Sequence, residues 1–430
     1  MIERDFYLSK LIARRGNGRI KVVTGIRRCG KSVLLFQLFR NHLQQSGVDS
    51  AHIIEVKLDE MAFAQQRNPQ ELDRYIRQRM TDNQTYYVLI DEIQEVMPIP
   101  NPWLQAAKAT IGFVDVLLGL LNLPNADIYV TGSNSKMLSS DIMTEFKDRG
   151  DEVHVNPLTY SEFHSAFPGD ERDAWTNYIT YGGMPRVLAE QTDDDKSHYL
   201  RNLMQNTYLT DVVERNGIKH DKAILDDLLN IVASSIGSLT NPTKLEKTFA
   251  SVKGQKVSDS TISNYLAYFQ EAYLLRQARQ YNIKGRKYIN SPLKYYFSDV
   301  GLRNAQLNFR QQEENHIMEN VLFNELTARG FNVDVGVVEY NFKDSDGKSK
   351  RTKLEVDFVA NKGSKRYYIQ SAFAIPDTEK RLQETHSLRR INDAYQKLVV
   401  VRDRIKPWQD EYGIQFIGIE DFLLNIIDTL

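Results

Sequence analysis

"GIRRCGKS", residues 25–32, follows "RIKVV" at 19–23 and precedes "VLLFQLFR" at 33–40. The upstream segment "IKVVTG" is apolar and β-branched, as suits a buried parallel strand. Downstream, Val33, Leu34, Phe36, Leu38 and Leu43 recur at broadly helical spacing. Strand, glycine turn, helix is the setting in which a loop of this kind cradles phosphate. Gly25 and Gly30 let backbone N–H groups turn toward anionic oxygens, and the helix N-terminus adds partial positive charge. With Ile26, Arg27, Arg28 and Cys29 inside the loop and Val33 just beyond it, residues 25–33 are the predicted segment for ATP or ADP. At this spacing Lys31 reaches the β- and γ-phosphates and Ser32 ligates Mg²⁺.

A second motif answers the first. In "YYVLIDEIQEV", residues 86–96, apolar residues from Tyr87 to Ile90 predict a central strand that delivers Asp91 and Glu92 at its carboxyl end, where open α/β sheets bind ligands. Adjacent carboxylates there divide two tasks: Asp91 positions Mg²⁺ through water, and Glu92 polarises the water that attacks the γ-phosphate. A third strand, "ADIYVTGSNSKML" at 126–138, ends in Ser133 and Asn134, which either sense the γ-phosphate or form an ordinary polar turn. Arg149, between a short helix and the next strand, either completes a neighbouring subunit's site or serves as an ion-pair residue. Two readings of Cys29 also stand. Beside Lys31 and a helix N-terminus its thiol pKa would fall and give redox control, or the loop simply tolerates cysteine.

The composition limits what else the chain can be. At 430 residues it divides into two to four domains. Its 55 Lys+Arg against 56 Asp+Glu leave a net charge of −1, so any nucleic-acid surface is a local patch. A single cysteine forms no internal disulfide, and "MIERDFYLSKLIARR" lacks a secretory core, so a cytoplasmic address is expected. The apolar run "VDVLLGLLNL" falls short of the roughly 20 residues that cross a bilayer. Eight histidines, His154 and His164 among them, show no metal-ligand spacing.

"GIRRCGKS", "LIDEIQEV", "IYVTGSNSKMLSSD", "NPLTYSEF" and "YGGMPRVL" together resemble the prokaryotic AAA-type P-loop ATPases that carry a C-terminal restriction-endonuclease-like domain of unknown function. The resemblance runs over nearly the whole chain and implies ATP binding. The expected fold is α/β: a P-loop NTPase core with a parallel sheet at 1–165, then a helical lid at 166–240. A winged-helix-like module at 241–305 and a nuclease-like α/β domain at 310–430 follow. Gly182, Gly183 and Pro185 mark a hinge or tight turn. In the winged-helix segment, Ser260, Thr261, Ser263 and Asn264 would face a DNA groove and Lys284, Arg286 and Lys287 in the wing would touch phosphate. Docking of a protein partner is the alternative use, and a homo-oligomer fits the reading of Arg149.

The final segment has the order helix, strand, strand, strand, helix, strand. A working nuclease site of that order gathers an acidic helix residue, a strand aspartate and a Glu-x-Lys on the next strand. Glu319 and Asp357 match, but "YIQSA" puts Gln370 and Ala372 where the glutamate and lysine belong. The sequence therefore favours an inactive module used for binding or regulation over an ATP-gated nuclease, with Glu355 as a substitute ligand on the active reading. A non-enzymatic, nucleotide-switched scaffold is the third alternative.

Overall fold

The computed structural model describes residues 2–101, 110–133, 146, 149–218, 221–310, 313–343 and 349–430. The chain divides into two compact units, Met1–Asn156 with Glu271–Tyr273, and Pro157–Gln270 with Leu274–Leu430.

The first unit is built on five strands: β1 (Ile20–Thr24), β2 (Ile53–Lys57), β3 (Tyr86–Asp91), β4 (Ala126–Thr131) and β5 (Gly150–His154). Their order is β2-β3-β4-β1-β5 and every pairing is parallel. Parallel neighbours need crossovers, and helices supply them. Helix α1 (Asp5–Ile12) precedes the sheet; α2 (31–45, with a π-helical middle), α3 (Pro69–Arg79) and α4 (Phe113–Leu121) connect its strands. Asn68 caps α3 by accepting the N–H groups of Gln70 and Glu71, and Pro69 fills its first position. Leu72 and Ile76 of α3 pack with Val116, Leu117 and Leu120 of α4 against Val22, Val88 and Ile128 of the sheet.

All five residues of β1 are buried, including Lys21. That charge is tolerable because Asp127 of β4 pairs with it, and Asp127 also accepts from the Tyr129 hydroxyl at 2.9 Å and the Gly16 N–H at 3.0 Å. Burial still pulls the Lys21 ammonium below its ordinary pKa, against the opposing effect of Asp127.

The second unit begins with helices α5 (Tyr160–Ala166), α6 (Glu171–Tyr181), α7 (193–215), α8 (Lys222–Ser234), α9 (Pro242–Lys253) and α10 (Asp259–Glu271). After two strands come α11 (Val300–Gln306) and α12 (Glu314–Ala328); α13 (Thr378–Arg389) lies later among the strands. The eight strands are β6 (Leu275–Asn282), β7 (Lys287–Phe297), β8 (Asn332–Lys343), β9 (Ser349–Lys362), β10 (Lys365–Ala372), β11 (Gln396–Val401), β12 (Trp408–Gln409) and β13 (Ile414–Gly418). They form one mixed sheet in the order β12-β13-β11-β10-β9-β8-β6-β7. The predicted order of the last segment therefore appears as α12-β8-β9-β10-α13-β11. The predicted wing, β6 and β7, is the edge pair of that same sheet, because β6 pairs in parallel with β8 through Tyr281–Gly336 and Asn282–Val337.

"YGGMP" is a tight turn, and its glycines are required. Gly182 ends α6 with φ +72°, and a side chain there would strike the Asp299 carboxylate; one on Gly183 would meet the Leu158 carbonyl at 2.2 Å. Asp299 caps α11 by accepting the Leu302 N–H at 3.0 Å and also takes the Gly183 N–H at 2.6 Å. Burial raises its carboxyl to about 6, against the opposing backbone hydrogen bonds. The folded chain then holds this proton more tightly than the unfolded chain. Stability is full below the ordinary aspartate range and falls as pH rises toward 6, by an amount on the order of 2–3 kcal/mol. In denaturant titrations Asp299→Asn should remove that part of the slope between about pH 4 and 6; an unchanged slope would rule out this carboxyl as its source.

Candidate functional site

The glycine turn after β1 has the backbone that the motif requires. Gly25 sits at φ +137°, and a Cβ there would lie 2.1 Å from the Val155 carbonyl oxygen, so only glycine fits. Gly30, at φ +104°, is the left-handed residue from which α2 starts, and Arg28 is also left-handed at φ +64°. Lys31 opens the helix. Its ammonium is turned back into the loop, buried, and donates to the carbonyls of Gly25 at 3.0 Å and Ile26 at 3.2 Å. Ser32 and Val33 are exposed on the first turn; Ile26 is buried, Arg27 half-buried and Arg28 exposed.

The acid pair meets the loop. Asp91, at the carboxyl end of β3, is buried, with the Ser32 hydroxyl close by. Burial pushes its carboxyl above the usual range, helped by the nearby charges of Glu92 and Asp59 and opposed by the hydroxyls of Thr131 and Ser32. Thr131, the buried last residue of β4, joins the two acids: its hydroxyl donates to Asp91 and accepts the Glu92 N–H at 2.9 Å. Glu92 itself is left-handed, at φ +49°, an uncommon conformation for a residue with a side chain and one that this hydrogen bond helps to hold. Its carboxylate accepts from the Ser133 hydroxyl at 3.2 Å and from the Gln94 amide. The donor set of ammonium, hydroxyl and carboxylates around a glycine turn fits a phosphate chain with a hard divalent cation.

Asn134 lies outside the described residues. Arg149 is exposed, and its carbonyl accepts the Ile20 N–H at 2.8 Å, which puts it at the amino end of β1. The loop is at the carboxyl end, about 13 Å away at about 3.3 Å per residue, so Arg149 is not gathered with Lys31, Asp91 and Glu92. Of the two readings of Cys29, the one with a lowered thiol pKa finds no support. The side chain is fully buried with its sulfur 3.3 Å from the Val155 carbonyl, and burial pushes the thiol up despite Lys31 and Arg4.

Sequence reading missed two residues that shape this loop. Arg4 is buried and donates to the Cys29 carbonyl at 3.0 Å and the Asn156 carbonyl at 2.7 Å, joining the loop to the segment that follows β5. Thr131 carried a weak signal: a hydroxyl residue closing a largely apolar strand one position before the glycine.

A second cluster lies in the other unit. Lys294 of β7 is buried, with its ammonium 2.8 Å from Glu319 of α12 and 2.7 Å from Glu355 of β9. The Tyr296 hydroxyl donates to the same Glu319 oxygen at 2.6 Å. Asp357 accepts from the Gln370 amide and the Ser371 N–H, both at 2.8 Å. Burial, with Glu319 next, holds the Asp357 carboxyl well above its ordinary range. Burial alone would lower Lys294, but Glu319, Asp357 and Glu355 together keep its ammonium above its ordinary value. The structure thus brings Glu319, Asp357 and Gln370 together as the sequence order implied. Among the described residues no group of three or more His, Cys, Asp or Glu is arranged to hold a metal ion. No described helix is long and apolar enough to cross a membrane.

Residues 17–164 match the sequence family described as an AAA domain, and residues 172–313 match a domain of unknown function, DUF8612. An uncharacterized protein of Haemophilus influenzae is 32% identical over 432 residues, covering 99% of each chain. One from Methanocaldococcus jannaschii is 28% identical over 440 residues, covering 98% of this chain and 88% of its own. Among solved structures, a Walker-type ATPase of Pyrococcus abyssi aligns with 71% of this chain and 96% of its own, at 16% identity and a TM-score of 0.47. The Aeropyrum pernix Orc1 protein in complex with DNA aligns with 71% and 92%, at 10% identity and a TM-score of 0.32.

Proposed function

We propose, for a chain that belongs to the prokaryotic AAA-type P-loop ATPase family, that its first unit binds ATP with Mg²⁺ and hydrolyses the γ-phosphate. The observation that carries this reading is the hydroxyl of Thr131, which joins Asp91 to Glu92 beside the loop that holds Lys31 and Ser32. Lys31 would exchange the carbonyls of Gly25 and Ile26 for phosphate oxygens, a stronger charge-assisted contact. Ser32 and Asp91 would hold magnesium, which when bound supplies positive charge to the phosphate oxygens. Glu92 orients the attacking water and accepts its proton as the oxygen bonds to phosphorus and ADP departs. Ser133 and Gln94 fix the Glu92 carboxylate for that role.

Lys31→Ala tests the cradle. Titration with a fluorescent ATP analogue in magnesium buffer should show an affinity loss of roughly 10- to 100-fold, the range of a charge-assisted hydrogen bond. Equal affinity in the variant would remove the assignment. For the remainder of the chain we propose that nucleotide state is coupled to binding of nucleic acid or a protein partner. Helix α10 supports this reading by presenting Ser260, Ser263 and Asn264 to solvent. Arg149, remote from its own loop, suits a contact with the nucleotide of a second copy. The acid cluster supports a binding or structural role better than cleavage: Gln370 occupies Asp357, and Lys294 spans Glu319 and Glu355.

A further inference from the structure

The parallel pairing of β6 with β8 sets two hairpins side by side, and the Ile283 N–H continues it by donating to the Val337 carbonyl at 3.0 Å. The turn of one hairpin, 283–286, therefore lies against the outer half of the other, formed by β8 and β9. Between them is a cleft of about 480 Å³ lined by Lys284, Glu339, Tyr340, Asn341, Arg351 and Arg390. Lys284 comes from the turn, Tyr340 and Arg351 from β8 and β9, and Arg390 from the end of α13. Arg286 and Lys287 are exposed on the turn side, and Lys350 and Lys353 on the strand side. Glu339 is the acid in the lining, and it is engaged by Arg351 and Lys353.

This concentration of cations belongs to a chain whose net charge is −1, so it is local. Aromatic side chains accompany it. The Arg390 guanidinium lies 4.3 Å from the centre of the Tyr340 ring; Tyr288, just after the turn, is 54% exposed and Phe342, near the end of β8, is 40% exposed. Cations that follow a backbone, with exposed rings on which bases stack, are the combination that takes up a nucleic-acid strand. We infer that the paired hairpins form a strand-binding surface on which Lys284, Arg351 and Arg390 contact phosphodiesters and Tyr340 and Phe342 stack on bases. The surface joins residues of the predicted wing to residues of the predicted nuclease-like segment, which the sequence treats as separate modules. It is distinct from the outward face of α10.

The test uses the full chain and a fluorescein-labelled oligonucleotide, single-stranded and as a duplex, with anisotropy read without nucleotide between about 50 and 200 mM salt. Lys284→Glu with Arg390→Glu should weaken single-strand binding by roughly 10- to 100-fold whatever the base sequence. It should also reduce the slope of log affinity against log salt by about two. Lys222→Glu, the same change at an exposed lysine elsewhere on the unit, should have little effect, and Asn264→Glu reports whether the strand uses α10 instead. Melting temperature and DNA-free ATP turnover of the double variant should match wild type. Three results would overturn the inference: no wild-type binding to either oligonucleotide, a double variant that binds as well as the Lys222→Glu control, or binding lost only in Asn264→Glu. Capture of an acidic polypeptide in place of either oligonucleotide would overturn it too. A chain that never turns over ATP yet shows the expected pattern removes the ATPase reading and leaves this surface in place.

Discussion

Glu92→Gln binds ATP as wild type does and turns it over about 10²- to 10⁴-fold more slowly, the range set by loss of a positioned general base. The substitution keeps the shape of the side chain and its contacts with Ser133 and Gln94, and it removes the capacity to accept a proton. Asp91 stays in place, because Thr131 holds it through a hydroxyl whose other contact is the Glu92 backbone N–H, not the side chain. Binding and chemistry should therefore separate: an unchanged dissociation constant for the fluorescent analogue, with phosphate release falling to background. Phosphate release at the wild-type rate would assign the base elsewhere. If affinity and rate fell together, the left-handed turn at residue 92 would have collapsed, and a circular-dichroism melt would report it.

Lys294→Met costs about 3–5 kcal/mol of stability, because it strands buried carboxylates without their counter-charge. The methionine roughly replaces the volume of the lysine, so the loss is electrostatic and depends on pH. In wild type the Lys294 pKa is raised, so its stabilisation is complete at neutral pH and fades only as alkaline pH passes the folded-state value. In the variant, Asp357 sits in the same buried site, where its carboxyl is already raised, with one fewer cation. The folded variant then gains by taking up a proton, and its deficit against wild type shrinks as pH falls from 7 toward 5. Urea titrations at those two values measure this directly. A deficit that does not change with pH would mean that packing, not charge, sets the cost.

The proposed phosphate site was legible because each of its parts is local in sequence. A β-branched run, two glycines and an amphipathic helix specify a strand, a turn and a helix, and the acid pair follows a second apolar run by the same logic. The positions of Gly25, Lys31, Ser32, Asp91 and Glu92 followed from these. Thr131 and Arg4 did not, because their roles depend on which strands become neighbours: β4 beside β3, and the chain before α1 beside the segment that follows β5. Arg149 is a case the sequence left open between a neighbouring subunit's site and an ion pair, and its place at the amino end of β1 separates it from the loop of its own chain. The lysine absent from "YIQSA" is a third case. Position 372 is alanine, while an ammonium from 78 residues earlier in the chain reaches Glu319 and Glu355 from an edge strand.

That edge strand also determines how the protein can be divided. A fragment that starts near residue 310 would lose β6 and β7, leaving the inner side of β8 as an open edge and Glu319 without its ammonium. Shortening from the other end would detach the helices from the sheet that Asp299 and the "YGG" turn tie them to. Covalent order suggests several detachable parts in residues 157–430, but one hydrogen-bonded sheet runs through the predicted wing and the predicted nuclease-like segment, so a cut between them divides a single sheet.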